Sequence, residues 1–117
     1  MANNSYTIEL NDQNFEQLVF QENRLFLVDF WADWCGPCKT LSPFLERLAT
    51  DFHGDIAVGK LNVDQNPQIS SSLQIRSLPT LILFQGDHII FEQFGVPDPQ
   101  TFVDKMEDAL EDFKAQS

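Results

Sequence analysis

The chain has 117 residues, 43% of them hydrophobic, with eleven Phe and a formal net charge of -11, which is enough for one core without metal or disulfide staples. That charge excludes nucleic acid and anionic membranes as natural partners, since both are bound through basic patches. No apolar segment approaches the roughly 20 residues that span a bilayer, and MANNSYTIEL at the start has neither a basic n-region nor an apolar h-region, so one cytoplasmic domain over residues 1–117 is expected.

Residues 5 to 10, SYTIEL, alternate polar and apolar side chains, the period of a strand. Asn11 and Asp12 stand where they can cap a helix in which Phe15, Leu18 and Val19 recur at helical spacing. Leu25-Phe26-Leu27-Val28 followed by Phe30-Trp31 is a nearly continuous apolar run, as a strand covered on both faces requires, and one acid, Asp29, is set inside it. From Pro37 a helix turns Leu41, Phe44, Leu45 and Leu48 inward and stops before Gly54, with Pro43 inside it as a source of kinking. Ile56 to Val63 reads as another strand, and a short helix around Gln68 to Leu73 follows Pro67. Thr80 to Phe84 and His88 to Phe94 flank Gly86-Asp87, a two-residue hairpin signal. In PDPQTFVDKMEDALEDF, the residues Phe102, Val103, Met106, Leu110 and Phe113 form one stripe of an amphipathic helix. The order β-α-β-α-β-α-β-β-α predicts an α/β fold with a central mixed five-stranded sheet flanked by about four helices. Strands joined through helices pair in parallel, and the final hairpin pairs antiparallel.

Only two cysteines occur, Cys35 and Cys38, and a reducing compartment disfavours a merely structural bridge between them. In Cys35-Gly36-Pro37-Cys38 they stand at i and i+3 where the buried strand hands over to a helix, a spacing that brings the Cα atoms within about 4.4–6.8 Å, the bridging range. The helix N-terminus, with unpaired N–H groups and the positive dipole end, favours thiolate at Cys35, and thiolate is the nucleophile. Pro37 suits the first helical turn, and Gly36 removes bulk beside the attacking sulfur. A zinc site needs two further ligands, but His53 and His88 are far apart and no second CxxC is present. Inert core cysteines are the other alternative, which Gly-Pro at a helix start does not favour. Redox chemistry is the reading that uses every one of these residues.

VDFWADWCGPCK, KLNVDQNP and LPT are similar, respectively, to the active-site signature, the third strand with its turn, and the proline loop of the thioredoxin family, and the resemblance runs almost the whole length, most of all to bacterial members. It implies the thioredoxin fold and a general protein-disulfide reductase in which Cys35 attacks, Cys38 resolves and the two form the redox disulfide. It also implies that electrons come from NADPH through a flavoprotein thioredoxin reductase, so that this chain holds no cofactor and no metal. The chain has no Gly-rich dinucleotide fingerprint. The substrates implied are disulfide-containing proteins such as ribonucleotide reductase, peroxiredoxins and methionine sulfoxide reductases, met by a monomer.

Burial of Asp29 raises a carboxyl pKa toward neutrality. The resemblance makes it the group that exchanges a proton with Cys38, with Lys60 close by and modulating its charge; a buried Asp29-Lys60 ion pair that serves folding alone is the competing reading. The resemblance further implies that Leu78-Pro79 is a cis peptide facing the cysteines, where the Leu78 backbone pairs with an extended substrate segment. Trp34, Gly36, Pro37, Leu78, Pro79, Gly95 and Val96 then form the contact surface, whereas Trp31, on the strand, is expected to be an ordinary core aromatic.

Ser77 stands where many bacterial relatives have Gly, Gly86-Asp87 replaces an Asn-Gly turn, and Val96 is larger than the usual small residue; Ser77 and Val96 bear on substrate choice. The acids between Asp98 and Asp112 read as a solvated helix face, while Lys39 and Arg76 leave a less acidic patch beside the site motifs. Two other function classes compete: a thioredoxin-like chaperone or complex subunit without enzyme activity, and an oxidase or isomerase of disulfides. The intact Cys35, Cys38, Asp29 and Pro79 weigh against the first, and Gly36-Pro37 between the cysteines weighs against the second.

Overall fold

A computed structural model describes residues 5–116. Its strands are β1 (Ile8–Leu10), β2 (Leu25–Trp31), β3 (Ile56–Asn62), β4 (Thr80–Gln85) and β5 (His88–Phe94), and its α-helices are α1 (Gly36–Asp51), α2 (Pro67–Ser72) and α3 (Pro99–Lys114). The strands form one sheet in the order β1-β3-β2-β4-β5. The β1-β3 and β3-β2 pairs are parallel, and the β2-β4 and β4-β5 pairs antiparallel, which is the mixed sheet expected from strands joined by helices and a closing hairpin.

The apolar run of the sequence becomes the centre of the sheet. Every residue of β2 except Trp31 is buried, and successive side chains point to opposite faces. Phe26, Val28 and Phe30 pack with Phe15, Val19, Leu61 and Phe84 on one face, against which Ile69 and Leu73 lean from α2 and its end. Leu25 and Leu27 pack with Leu41, Leu45 and Leu48 of α1 and Phe102 and Met106 of α3 on the other. Asp29 belongs to this second row, so its carboxylate faces α1.

Two elements and one cap depart from the sequence reading. The first strand is confined to Ile8–Leu10, because Ser5 and Thr7 bend away to place their hydroxyls on the Glu46 carboxylate of α1. The expected first helix is a π-helical turn, Glu16–Phe20. Asn11 does cap the segment, its side-chain oxygen accepting from the N–H groups of Gln13 at 2.9 Å and Asn14 at 2.8 Å. Asp12 caps a different helix: its carboxylate accepts from Gln68 N at 3.2 Å and Ile69 N at 2.9 Å at the start of α2. The hairpin forms with Gly86 at φ 58°, and a register shift at Leu83/Phe84 marks a bulge.

Gly59 in β3 answers to packing. A Cβ there would lie 2.7 Å from Leu10 Cδ1, 2.9 Å from Phe26 Cε1 and 3.0 Å from Ile8 O, so glycine leaves room for two core side chains beside the carbonyl of β1. Pro43 lies inside α1 as expected, α3 starts from Asp98, whose carboxylate accepts from Thr101 N at 3.0 Å, and no helix among the described residues is long and apolar enough to cross a membrane.

Candidate active site

Everything that bears on the cysteines converges on the C-terminal end of β2. After Trp31 the chain turns, with Cys35 N donating to Ala32 O at 3.1 Å, and Cys35 becomes the N-cap of α1 in an extended conformation. Its sulfur accepts a hydrogen bond from Cys38 N at 3.2 Å, so one of the orphan N–H groups of the helix start is aimed at that sulfur. Cys35 and Cys38 are joined in a disulfide with Cα atoms 5.3 Å apart. Both are 4% exposed, whereas Gly36 and Pro37 between them are exposed.

The sheet register carries the other motifs to the same end. Thr80 lies opposite Phe30, and Phe94 lies opposite Thr80. Leu78-Pro79 and Gly95-Val96 therefore run past the end of β2, level with the cysteine turn. The Leu78-Pro79 peptide is cis, as the family resemblance implies, and Pro79 O accepts from Gly95 N at 2.9 Å, tying the two loops together. Thr80 Oγ1 donates to Ser77 O at 2.6 Å. Gly95 has φ 78° and open space where a Cβ would point, so its backbone conformation already accounts for glycine and the room beside it is free for a ligand.

The two tryptophans divide, but not as expected. Trp34 is 71% exposed and Val96 48%, and Trp34 Nε1 donates to Asp64 Oδ2 at 2.9 Å. Trp31 is only half-buried and lines a groove of about 1000 Å³ with Glu46, Lys60 and Asn62. The expectation of an ordinary core aromatic is thus corrected: at the last position of β2 the ring borders this groove. Asp64 was legible only as part of the NVDQNP turn, and nothing in its spacing signals a partner thirty residues upstream.

Asp29 is 2% exposed, and its Oδ1 has no hydrogen-bond partner among the described residues. Burial pushes its carboxyl up from 3.8 to about 7, with the Lys60 charge pulling the other way. Lys60 is its neighbour in the parallel register of β2 and β3. The direct ion pair of the competing reading is not how the ammonium is held: Lys60 Nζ donates to Ser42 Oγ at 2.9 Å and lies 3.6 Å from the Glu46 carboxylate. Hydrogen bonding from Ser5, assisted by the Lys60 charge, keeps the Glu46 carboxyl below its ordinary value against a smaller effect of burial. Cys38 is buried and precedes Ser42 by one turn on the same face of α1. Ser42 touches Lys60, the register partner of Asp29, so Cys38 lies one helical turn from that contact. No group of three or more His, Cys, Asp and Glu that could hold a metal ion gathers among the described residues.

A family model described as Thioredoxin matches residues 6–108. A thioredoxin of Buchnera aphidicola subsp. Acyrthosiphon pisum is 47% identical over 88 residues, 75% of this chain and 82% of that protein. A thioredoxin of Alicyclobacillus acidocaldarius is 41% identical over 105 residues, 90% of this chain and 99% of that protein. A bifunctional thioredoxin reductase/thioredoxin of Mycobacterium leprae is 48% identical over 84 residues, 72% of this chain but 18% of that protein.

Proposed function

The chain belongs to the thioredoxin family, and on that premise we propose the roles of its residues in the dithiol-disulfide exchange that the family catalyses. It is a protein-disulfide oxidoreductase working through the Cys35-Cys38 pair. The observation that carries the proposed division of labour is the placing of Cys35 as N-cap of α1, its sulfur accepting from Cys38 N.

In the reduced enzyme Cys35 thiolate attacks one sulfur of a substrate disulfide, forming a mixed disulfide and releasing the other substrate sulfur as thiolate, which takes a proton from solvent. Asp29 removes the proton from the Cys38 thiol. Cys38 thiolate then attacks Cys35 Sγ, closing the Cys35-Cys38 bond and releasing the second substrate sulfur. Two electrons pass from the dithiol to the substrate, and the enzyme ends oxidised. Lys60 tunes the charge of Asp29 across the register row. Trp34, Gly36, Pro37, Leu78, Pro79, Gly95 and Val96 receive an extended substrate segment, with Leu78 offering backbone hydrogen bonds. Such main-chain recognition suits many protein substrates, and Ser77 and Val96 narrow that choice.

Re-reduction is the work of a thioredoxin reductase, a partnership supported by the relative in which reductase and thioredoxin are one polypeptide; we assign the electrons to NADPH through its flavin. We read residues 1–117 as a single thioredoxin domain acting as a cytoplasmic monomer. Its substrates are disulfide-containing proteins of the ribonucleotide reductase, peroxiredoxin and methionine sulfoxide reductase kinds.

An equilibrium redox titration of Cys35-Cys38 against defined dithiol-disulfide buffers tests the direction of the reaction. A midpoint well below about -230 mV supports a reductase, and one near or above about -180 mV transfers the assignment to oxidation or isomerisation. Replacing both cysteines by Ser tests for an interaction module, which would keep its biological activity without them.

A further inference from the structure

Lys60 stands among acids that compete for it. Glu9 of β1 is its register partner on one side and Asp29 of β2 on the other. Glu46 of α1 approaches it at 3.6 Å. Neighbouring strands lie about 4.8 Å apart, well within reach of the flexible lysine stem, and Asp29 Oδ1 is buried with no hydrogen-bond partner among the described residues. Left to itself, the ammonium would turn to that carboxylate, because an unpaired buried acceptor is costly. It turns to Ser42 Oγ at 2.9 Å instead, beside a Glu46 carboxylate that the hydroxyls of Ser5 and Thr7 hold in place. The groove lined by Lys60 and Glu46 gives this pair water while Asp29 stays dry.

We propose that Ser42 and Glu46 are positioning residues that hold the Lys60 ammonium off Asp29, leaving the Asp29 carboxyl free to exchange a proton with Cys38. The proposal rests on the role given to Asp29 above. An ammonium in contact with Asp29 would fix it as a carboxylate, and a carboxylate so stabilised is a poor base toward a thiol. The charge that acts on Asp29 is Lys60 from β3, which Glu46 of α1 approaches, and Cys38 of α1 is held in the disulfide of the oxidised protein. The β4 neighbour of Asp29 is Leu81, α3 brings apolar Phe102 and Met106 to this face, and Glu9 stands on the far side of Lys60. Ser42 and Glu46, one helical turn apart, are thus the pair able to decide where the ammonium goes.

The test is a carbon-13 NMR titration of the Asp29 carboxyl in the oxidised protein. In Ser42→Ala combined with Glu46→Gln its midpoint is expected to fall by about one pH unit, with Ser42→Ala alone giving part of that shift and Ser42→Thr, which keeps the hydroxyl, giving none. In a Lys60→Met background the double change should produce no such fall. An unmoved midpoint overturns the proposal, and so does an equal fall without Lys60, which would be the direct field of Glu46. The role of Asp29 itself is read separately, from the resolution rate of the Asp29→Asn enzyme, so each idea fails on its own measurement.

Discussion

Asp29 and Lys60 face each other across the β2-β3 register, yet the lysine ammonium is bonded to Ser42 and one carboxylate oxygen of Asp29 has no partner among the described residues. A buried acid that its neighbouring cation does not neutralise weakens the fold whenever it is ionised. This is the physical reason for a carboxyl at about 7, and it gives stability a definite dependence on pH.

Between pH 3.8 and about 7 the folded chain keeps a proton on Asp29 that the unfolded chain has lost. Because the folded state binds more protons there, stability falls as pH rises through this window, and the loss is complete above it. A rise from 3.8 to about 7 corresponds to a penalty of about 4 kcal/mol at alkaline pH. Asp29→Asn should therefore gain stability over the parent by an amount of that order at pH 8, with the gain disappearing toward pH 4. Urea unfolding of both oxidised proteins at the two pH values measures it, and a pH-independent difference would contradict the account.

The same substitution should slow catalysis where it stabilises the fold. Without a base for Cys38, resolution of a trapped mixed disulfide is expected to drop by at least about tenfold near pH 7, since positioned general bases contribute about 10²–10⁴-fold. The deficit should shrink as pH rises toward the pKa of the thiol itself. Stopped-flow release of a labelled thiol from the Cys35 adduct follows this step directly, and an unchanged rate would leave Asp29 a structural residue.

Asp12 ties the β1 end to α2 by accepting from Gln68 N and Ile69 N. Asp12→Ala removes a cap and leaves two N–H groups at a helix start without their acceptor, so a loss of about 1–2 kcal/mol is expected. Denaturant midpoints should move accordingly, while the redox midpoint of Cys35-Cys38 stays where it was, because α2 does not carry the cysteines.

What the chain's own pattern disclosed, and what it hid, divides along local and non-local lines. The continuous apolar run of β2, the Gly86-Asp87 turn and the Cys35-Gly36-Pro37-Cys38 helix start are signals contained within a few residues, and each produced the element expected of it. Asp12 looked like a cap for the residues after it because a short acid before an apolar run is such a signal, but the turn brought the start of α2 within its reach. The π-helical turn at Glu16–Phe20 has the same apolar spacing as an α-helix over so short a stretch. Around the cysteines, the burial of Asp29 was legible from its apolar neighbours. The diversion of Lys60 to Ser42 and Glu46 was not, since it depends on which face of α1 lies over β3, a fact of tertiary packing alone.

Gly59 is a core position where the smallest side chain leaves room for Leu10, Phe26 and the Ile8 carbonyl. Gly59→Ala would bring a methyl to 2.7 Å from Leu10 Cδ1, 2.9 Å from Phe26 Cε1 and 3.0 Å from Ile8 O, so two core side chains must shift and β1 must give way slightly. Overpacking of this kind costs about 1–3 kcal/mol. Amide exchange should report it locally, with protection lost first along β1 and retained in β2 and β4.

The exposed Trp34 is held by Asp64, whose carboxylate accepts from the indole N–H at 2.9 Å. A large ring that is 71% exposed contributes most to binding when it is already fixed in place, because ordering a free side chain on association costs about 0.5–1.5 kcal/mol. Asp64→Ala frees the indole without touching sulfur, cap or base. We expect kcat/KM for a protein disulfide to fall about two- to tenfold, mainly through KM, with the rate toward a small disulfide such as oxidised glutathione and the redox midpoint both unchanged. Equal losses on the large and small substrates would place Asp64 in the chemistry instead, and no loss on either would mean that the Asp64 bond does not order the ring for binding.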